Sequence, residues 1–471
     1  MVLRYGLLFI PYILAALLQE APTASYLVAW GGSFWILYLT LSGSIRALPN
    51  GQSLAQHLFR PIGFTHLIYA GYTSLTSIFY FLDLSGYYYL EFSAYRAASP
   101  QSLALAAEAQ RYYVLSHAAF AAGVLLFMNY RNSGEWRLRP DIDRVPFLLY
   151  SAGGFLVAAQ VVRFLPAVGQ FATRLDMLAL VAAVLGFALA IIQKRRFFIF
   201  VGGAVYGGST VSAFLGGWKG EVLILFILLF VFLYPDYKKT VSLLAPATLV
   251  VLLAILPTFA GVVRSLNWKG DVAADRAAQV ATERIMSGEA NLARTNWRFL
   301  TNRLSEMGMF VQYINRVPDD RPYYGFEITR NGLLGIIPGA VWPGKPSLEA
   351  MSMERVYEND VVERHSGASA KPKFVVDAYL SWGALGVLIG SLLYGMVASL
   401  ASRLAERWFG GYLLGSGLVY LSLFRILWMS NSFEFLFNTV FWSFVFMGIL
   451  FVAGRMSRLL VPRERSEKVS A

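Results

Sequence analysis

The chain contains no cysteine. That excludes thiol catalysis, thiolate metal sites and disulfides, and it fits an oxidising compartment. Histidine is nearly as scarce. His57, His66, His117 and His365 are scattered, with no HxxxH or HxH spacing, so a histidine-rich metal site is not expected. Charge is also in short supply. Only 14% of the 471 residues are charged, against about 25% in a soluble domain. The deficit is uneven, because 264–372 carries fourteen Lys and Arg against thirteen Asp and Glu. The remainder is correspondingly apolar.

That remainder falls into runs of roughly 17–25 residues, long enough to cross a bilayer as helices. Transmembrane strands would alternate in polarity, and these runs are apolar all round. The expected fold is therefore an all-α polytopic membrane protein of about twelve transmembrane helices with one large outer loop. The runs lie near 3–18, 25–44, 63–84, 112–128, 146–162, 176–193, 197–217, 221–235, 241–263, 374–398, 409–430 and 434–454. They divide the chain into spans one to nine (1–263), a large loop (264–372), three more spans (373–454) and a basic tail (455–471). The first run resembles a signal sequence in length, but its charged flank (Arg4) is weak and no small-x-small site ends it, so it counts as a helix.

Lys and Arg concentrate in alternate connections: Arg46 and Arg60, Arg131 to Arg144, Lys194 to Arg196, Lys238 and Lys239, Arg403 and Arg407, and the tail. This asymmetry puts both termini in the cytoplasm and 264–372 outside, in the periplasm. The net charge of +12 thus reports topology, and no nucleic-acid partner is expected.

The loop is far too long for a turn. It opens with Asn267-Trp268-Lys269-Gly270-Asp271. A helical stretch over about 273–316 follows, whose Trp297, Leu300, Leu304, Met307 and Val311 make one apolar stripe flanked by Arg294 and Arg303. Such a helix suits a membrane surface or an ordinary surface position equally. Then come a turn-rich segment, Pro318 to Gly325, and an apolar stretch, Leu333 to Pro346, broken by three prolines and three glycines. The latter reads as a re-entrant or interfacial loop, either a site or a structural plug. Residues 347–371 are polar and read as a mobile lid or a plain surface loop.

Charges inside apolar runs are costly and often functional. Asp377 and Arg425 are the two that stand out, both near the outer face. Tyrosines gather on the same side (Tyr87 to Tyr89, Tyr112, Tyr113, Tyr323, Tyr324), as sugar platforms or as interfacial anchors. Arginine forks suit phosphate or pyrophosphate.

Arg303, the Pro322-Tyr323-Tyr324-Gly325 turn, Ile337-Pro338 and Trp342-Pro343-x-Lys345-Pro346 together resemble the oligosaccharide repeat-unit polymerases of O-antigen (Wzy) type. Asp377-Ala378-Tyr379 with Gly383, Gly386 and Gly395 is similar to that family's acidic-x-Tyr, Gly-rich helix after the loop. One departure is Gly339, where a basic residue is expected. It shifts weight for phosphate binding to Lys345, Arg303, Arg330 and Arg425, with Arg294 beside them. The resemblance implies a glycosyltransferase of GT-C type in the bacterial inner membrane. Such an enzyme moves a growing glycan from undecaprenyl pyrophosphate to the next lipid-linked repeat unit; no cofactor is expected, and no carboxylate cluster in the sequence demands a metal. It implies Asp377, Glu327 and His365 as candidate bases, Tyr323, Tyr324 and Trp342 as sugar-stacking residues, and membrane lipids and a chain-length regulator protein as partners. An O-antigen ligase of the same fold and a lipid-linked oligosaccharide flippase or other transporter are the alternatives. The clustering of charge at one face speaks against the transporter.

Overall fold

A computed structural model describes residues 2–130, 134–165, 169–270, 272–339, 341–365 and 370–463. Of the sequence features above, Arg131, Asp271, Ala340 and the tail from 464 lie outside the described residues. The protein is an all-α membrane protein. Among the described residues seven helices are long and apolar enough to cross a bilayer: Pro22–Leu41, Arg144–Arg163, Ala172–Ile192, Arg196–Leu215, Lys238–Asn267, Phe374–Phe409 and Phe433–Met456.

Each of the seven matches an apolar run in the sequence, and the other five runs depart for identifiable reasons. Run 3–18 is cut into Val2–Gly6 and Ile10–Leu17, with Pro11 opening the second piece. Run 63–84 is a series of short turns: a π-helix Pro61–Thr65, an α-helix His66–Ala70, a second π-helix Gly71–Leu75 and an α-helix Ile78–Leu84. Run 221–235 forms a helix of only 15 residues, Lys219–Leu233, about 22 Å at 1.5 Å per residue and short of a bilayer core. Run 409–430 breaks into Tyr412–Tyr420, Leu421–Leu423 and Ile426–Met429. Run 112–128 is the end of a 28-residue helix, Pro100–Phe127, that carries Glu108, Gln110, Arg111 and His117 and is mostly buried in protein.

The described chain forms two compact units. One comprises residues up to Leu138 together with those from Leu300 onward; the other is Arg139–Phe299. The centre of the first unit is the contact between Pro100–Phe127 and Phe374–Phe409. Two glycines let their backbones touch. A Cβ on Gly123 would lie 2.2 Å from the Leu392 carbonyl, and one on Gly395 would lie 2.2 Å from the Phe120 carbonyl. Close approach through small residues is how helices pack where lipid removes the hydrophobic drive. Hydroxyls reinforce it: Ser116 and Ser391 Oγ lie 2.8 Å apart, and Ser399 Oγ donates to Val124 O at 3.1 Å.

The helix Phe374–Phe409 bears two buried ionic clusters, one near each end. Near its start, Asp377 meets Arg355 and Glu434. Near its finish, Glu406 accepts from Arg60 Nε (2.8 Å) and Nη2 (2.9 Å), from Asn129 Nδ2 (2.7 Å) and from Ser416 Oγ (2.7 Å). The chain reverses between Asp377 and Glu406, at Trp382 and Gly383, so that the Phe374 ring lies 4.6 Å from the Tyr394 ring and a Cβ on Gly390 would lie 3.4 Å from that of Ala378. In both clusters the buried charges are paired.

The stretch expected as one amphipathic helix over 273–316 is interrupted. It forms Ala274–Met286, Leu292–Phe299, a π-helix Leu300–Leu304 and Met307–Ile314. Gly288 and Glu306, both with positive φ, mark the breaks.

Candidate functional site

In the first unit, the segments after Ile314 are fastened to the helices Phe374–Phe409 and Phe433–Met456. The first of these is kinked. Trp382 (φ −150°, ψ 34°) and Gly383 (φ 58°, ψ −138°) leave helical geometry. The freed carbonyls of Leu380 and Ser381 accept from the backbone N–H of Tyr324 (2.9 Å) and Gly325 (3.0 Å), so the Pro/Tyr/Gly turn replaces the helix's own bonds. The Tyr323 ring stands edge-on to Tyr379, centroids 5.8 Å apart. Gly386 is required one turn on, because a Cβ there would lie 2.0 Å from the Ala378 carbonyl.

The helix Glu327–Gly335 follows, and then the Pro/Gly-rich stretch. Its carbonyls are answered by side chains. Lys345 Nζ donates to Gly335 O (2.9 Å) and Ile337 O (2.5 Å). Asn438 Nδ2 donates to Gly335 O (2.8 Å) and Trp442 Nε1 to Ile336 O (2.9 Å). Partial burial holds the Lys345 ammonium below the ordinary lysine pKa. Irregular backbone is thus bound to Phe433–Met456 by specific donors, the condition under which it persists beside a membrane.

Residues 347–371, read as a mobile lid or plain surface loop, contain an ordered helix, Leu348–Glu358, capped by Ser347 Oγ accepting from Ala350 N at 3.0 Å. Its inner face buries Ser352, Met353, Arg355 and Val356. Arg355 reaches both long helices. Nε donates to Asp377 Oδ1 (2.8 Å) and Nη2 to Asp377 Oδ2 (2.7 Å); Nη1 donates to Glu434 Oε1 (2.7 Å) and Nη2 to Glu434 Oε2 (2.9 Å). Phe433 N also donates to Asp377 Oδ2, at 2.8 Å. All three side chains are 3% exposed or less. Burial works against the Arg355 charge, but Asp377 and Glu434 more than offset it, so the guanidinium's pKa lies above an ordinary arginine's. Tyr324 joins the cluster from the side. Its hydroxyl donates to Glu358 Oε2 (2.7 Å) and accepts from Asn359 Nδ2 (2.9 Å), while Asn359 Nδ2 also donates to Arg355 O (2.7 Å).

Beside this cluster runs an apolar groove of about 820 Å³. The helix Phe374–Phe409 forms one wall through Leu385, Ile389, Leu393 and Val397, spaced by four. Phe433, Phe437, Val440 and Phe441 form the other, and Phe326, Thr329 and Leu333 also line it. From Leu385 to Val397 the groove follows about 18 Å of helix. Thr329 and Ser381 are its few polar contributors. Arg330 follows Thr329 directly. Its exposed guanidinium makes no ion pair or side-chain hydrogen bond among the described residues.

The sequence-derived candidates are therefore distributed as follows. Tyr323, Tyr324 and Asp377 come together at the kink, where every Asp377 oxygen is engaged by Arg355 or Phe433 N. Arg330, Lys345 and the exposed Glu327 share the segment docked on Phe433–Met456. Trp342 is 38% exposed near Lys345. His365 and Arg303 are exposed on other segments of this unit. Arg425 Nε lies 2.8 Å from Met429 Sδ. Arg294 belongs to the other unit and is exposed there. Among the described residues no group of three or more His, Asp or Glu could hold a metal ion. Sequence reasoning passed over Arg355 and Glu434 as functional residues. The signal for Arg355 was available in Ser347 as an N-cap, followed by Ser352, Met353 and Val356 at helical spacing.

A many-helix membrane protein with a docked, irregular segment over a lipid-sized groove is the class these features define. The chain belongs to the family described as Domain of unknown function (DUF8712), whose model matches residues 10–462. No curated protein and no solved structure matches it.

Proposed function

We propose that this protein is a membrane glycosyltransferase of the bacterial inner membrane, a polysaccharide repeat-unit polymerase acting on polyprenyl-pyrophosphate-linked oligosaccharides at the periplasmic face. The observation that carries this reading is the groove of about 820 Å³ lined by Thr329, with the exposed Arg330 the next residue on the same helix. A groove apolar along about 18 Å suits an isoprenoid chain, and an exposed guanidinium on a helix that lines it suits the attached pyrophosphate. The donor brings its own leaving group, so the reaction needs no nucleotide.

In this scheme the acceptor hydroxyl oxygen attacks the anomeric carbon, and the bond from that carbon to the pyrophosphate oxygen breaks. The hydroxyl proton passes to a carboxylate, and polyprenyl pyrophosphate leaves. Arg330 offsets the charge that develops on the pyrophosphate. Glu327, one turn before Arg330 on the same helix, is the exposed carboxylate nearest in sequence for the proton. Asp377, held by Arg355, acts as a positioning residue that fixes the helix Leu348–Glu358 over the kink.

The test is purified protein in nanodiscs supplied with a lipid-linked repeat unit, with products resolved by mass. A ladder of lengthened lipid-linked glycans is the expected result, absent in Arg330→Ala. Repeat units left unextended by the wild-type protein, under conditions where it remains folded, would overturn the reading. A deletion strain separates the ligase alternative: loss of a polymerase leaves core with one repeat unit, and loss of a ligase leaves core alone.

A further inference from the structure

The second unit, Arg139–Phe299, carries a positive surface that glycosyl transfer does not use. Its helices Arg144–Arg163 and Ala172–Ile192 run antiparallel, with an ion pair at each end, Asp143 with Arg195 and Arg163 with Asp176. At the Asp143 end three segments converge. Val145 and Leu149 pack with Ala190 and with Phe198 and Ile199 of the next helix. The Tyr237 hydroxyl donates to Ile191 O at 3.4 Å, which brings the start of Lys238–Asn267 to the same place.

Arg139, Arg144, Lys194, Arg195, Arg196, Lys238 and Lys239 are met there by Asp141, Asp143 and Asp236 alone within these three segments. Two of the acids are spent, Asp141 on Arg139 (2.7 Å) and Asp143 on Arg195. Arg144, Lys194, Arg196, Lys238 and Lys239 are exposed and make no ion pair or side-chain hydrogen bond among the described residues. Arg144, Arg196 and Lys238 each open a helix, and none of the three helices has an acid in its first turn. A cation there opposes the helix dipole, so these charges do not serve their own helices. The other end of the helices differs. Arg163 is paired with Asp176 at 2.6 Å, and Arg264 Nε donates to Gly217 O at 3.0 Å. Beside the unpaired cations the surface is apolar. Tyr150, Phe197, Phe200 and Leu243 are exposed, each within two helical turns of one of them.

We propose that this end of the second unit binds anionic phospholipid, its phosphodiester among the cations and its acyl chains along the exposed apolar side chains. Guanidinium and ammonium groups donate to phosphate oxygens, and like charges gathered on one surface repel until anions join them. Basic residues at the ends of membrane helices, adjoining apolar surface, match a headgroup and a tail in one ligand. A soluble phosphate would answer the charge and leave Phe197, Phe200 and Leu243 uncovered. Positive charge also orients membrane helices during insertion, but that role implies no choice among lipids in the folded protein.

No sugar or polyprenyl carrier enters the test, so its outcome is separate from that of the polymerase assay. Full-length protein in mild detergent is titrated with phosphatidylglycerol and with phosphatidylcholine of the same acyl chains, and bound lipid is counted by native mass spectrometry. Wild type is expected to bind phosphatidylglycerol at least tenfold more tightly. Arg196→Gln with Lys238→Gln is expected to remove most of that preference and to leave phosphatidylcholine binding unchanged. Arg276→Gln with Arg284→Gln removes as much charge from exposed positions on Ala274–Met286, which packs on Leu215 and Val263 at the other end, and is expected to keep it. Should the first double variant misfold, its two single substitutions take its place, each expected to weaken phosphatidylglycerol binding severalfold. Equal affinity for the two lipids in wild type, a preference that survives the first variant, or one lost equally in the second would overturn the proposal. Displacement of phosphatidylglycerol by inorganic phosphate would overturn it too, because the site would then be one for free phosphate.

Discussion

Arg355 and Asp377 share two parallel hydrogen bonds, Nε to Oδ1 at 2.8 Å and Nη2 to Oδ2 at 2.7 Å, in a place where neither is open to solvent. Because Arg355 also holds Glu434, one guanidinium ties the loop helix Leu348–Glu358 to both Phe374–Phe409 and Phe433–Met456. Two carboxylates face one cation. Removing the cation and removing a carboxylate are thus unequal losses.

Arg355→Leu leaves two buried carboxylates without a counter-charge and should cost about 3–5 kcal/mol. Asp377→Asn leaves a neutral Arg355–Glu434 pair and should cost less, about 1–3 kcal/mol. Arg355→Lys should rescue little, since an ammonium does not reproduce the fork that reaches both acids. Thermal or denaturant unfolding in detergent measures the order. Asp377→Asn proving the worse of the two would contradict it.

Lys373 gives a pH signature. It is 4% exposed, donating to Ser305 O at 2.7 Å and Tyr72 O at 3.2 Å with its Nζ 3.5 Å from the centre of the Tyr72 ring. Burial lowers its pKa from 10.5 to about 8, with Glu306 opposing. Between those values the unfolded chain binds a proton that the folded chain does not, so stability rises with pH across that window. The contribution is up to about 3 kcal/mol. The stability of wild type minus that of Lys373→Met should therefore climb from pH 8 to 10.5 and be flat below 7. A falling difference would show that the ammonium is favoured by folding.

Lys345 should act through backbone order. Its Nζ answers the carbonyls of Gly335 and Ile337. Lys345→Met leaves both with one donor fewer, although Gly335 O keeps Asn438. Amide hydrogen exchange over 336–346 should quicken by about tenfold, equivalent to roughly 1.4 kcal/mol, with exchange over Phe374–Phe409 unchanged. Uniform acceleration across both regions would mean that Lys345 holds the whole unit together.

Part of this was legible from residue types alone. Seven long apolar runs became seven long helices, and Asp377 stood out because a lone acid in an apolar run is expensive. Three of the other runs, 3–18, 63–84 and 409–430, broke although they too are apolar. Pro11, Pro61, the glycines and the small polar residues of 61–77 decide continuity there, and helices around them supply the backbone partners that lipid would not. Arg355 was hidden in a polar segment, where an arginine is ordinary until its partners, 22 and 79 residues away, are known. His66 and His117, whose Nε2 atoms lie 2.8 Å apart, looked scattered because 51 residues separate them. No local pattern encodes a pairing made by packing.

The groove offers a prediction that separates lipid binding from fold. Ile389 is 48% exposed and sits on the groove wall midway along Leu385 to Val397. Ile389→Trp places an indole into the channel without burying a charge or opening a cavity, so stability should change by less than about 1 kcal/mol. An isoprenoid chain would have to displace that ring. Photo-crosslinking of a diazirine-bearing polyprenyl phosphate to Phe374–Phe409 should drop at least fivefold, and glycan lengthening should fall with it. Ser399→Ala, on the same helix but facing Val124 O, should alter neither. If Ile389→Trp retains both crosslinking and lengthening while remaining folded, the carrier chain lies elsewhere on the protein.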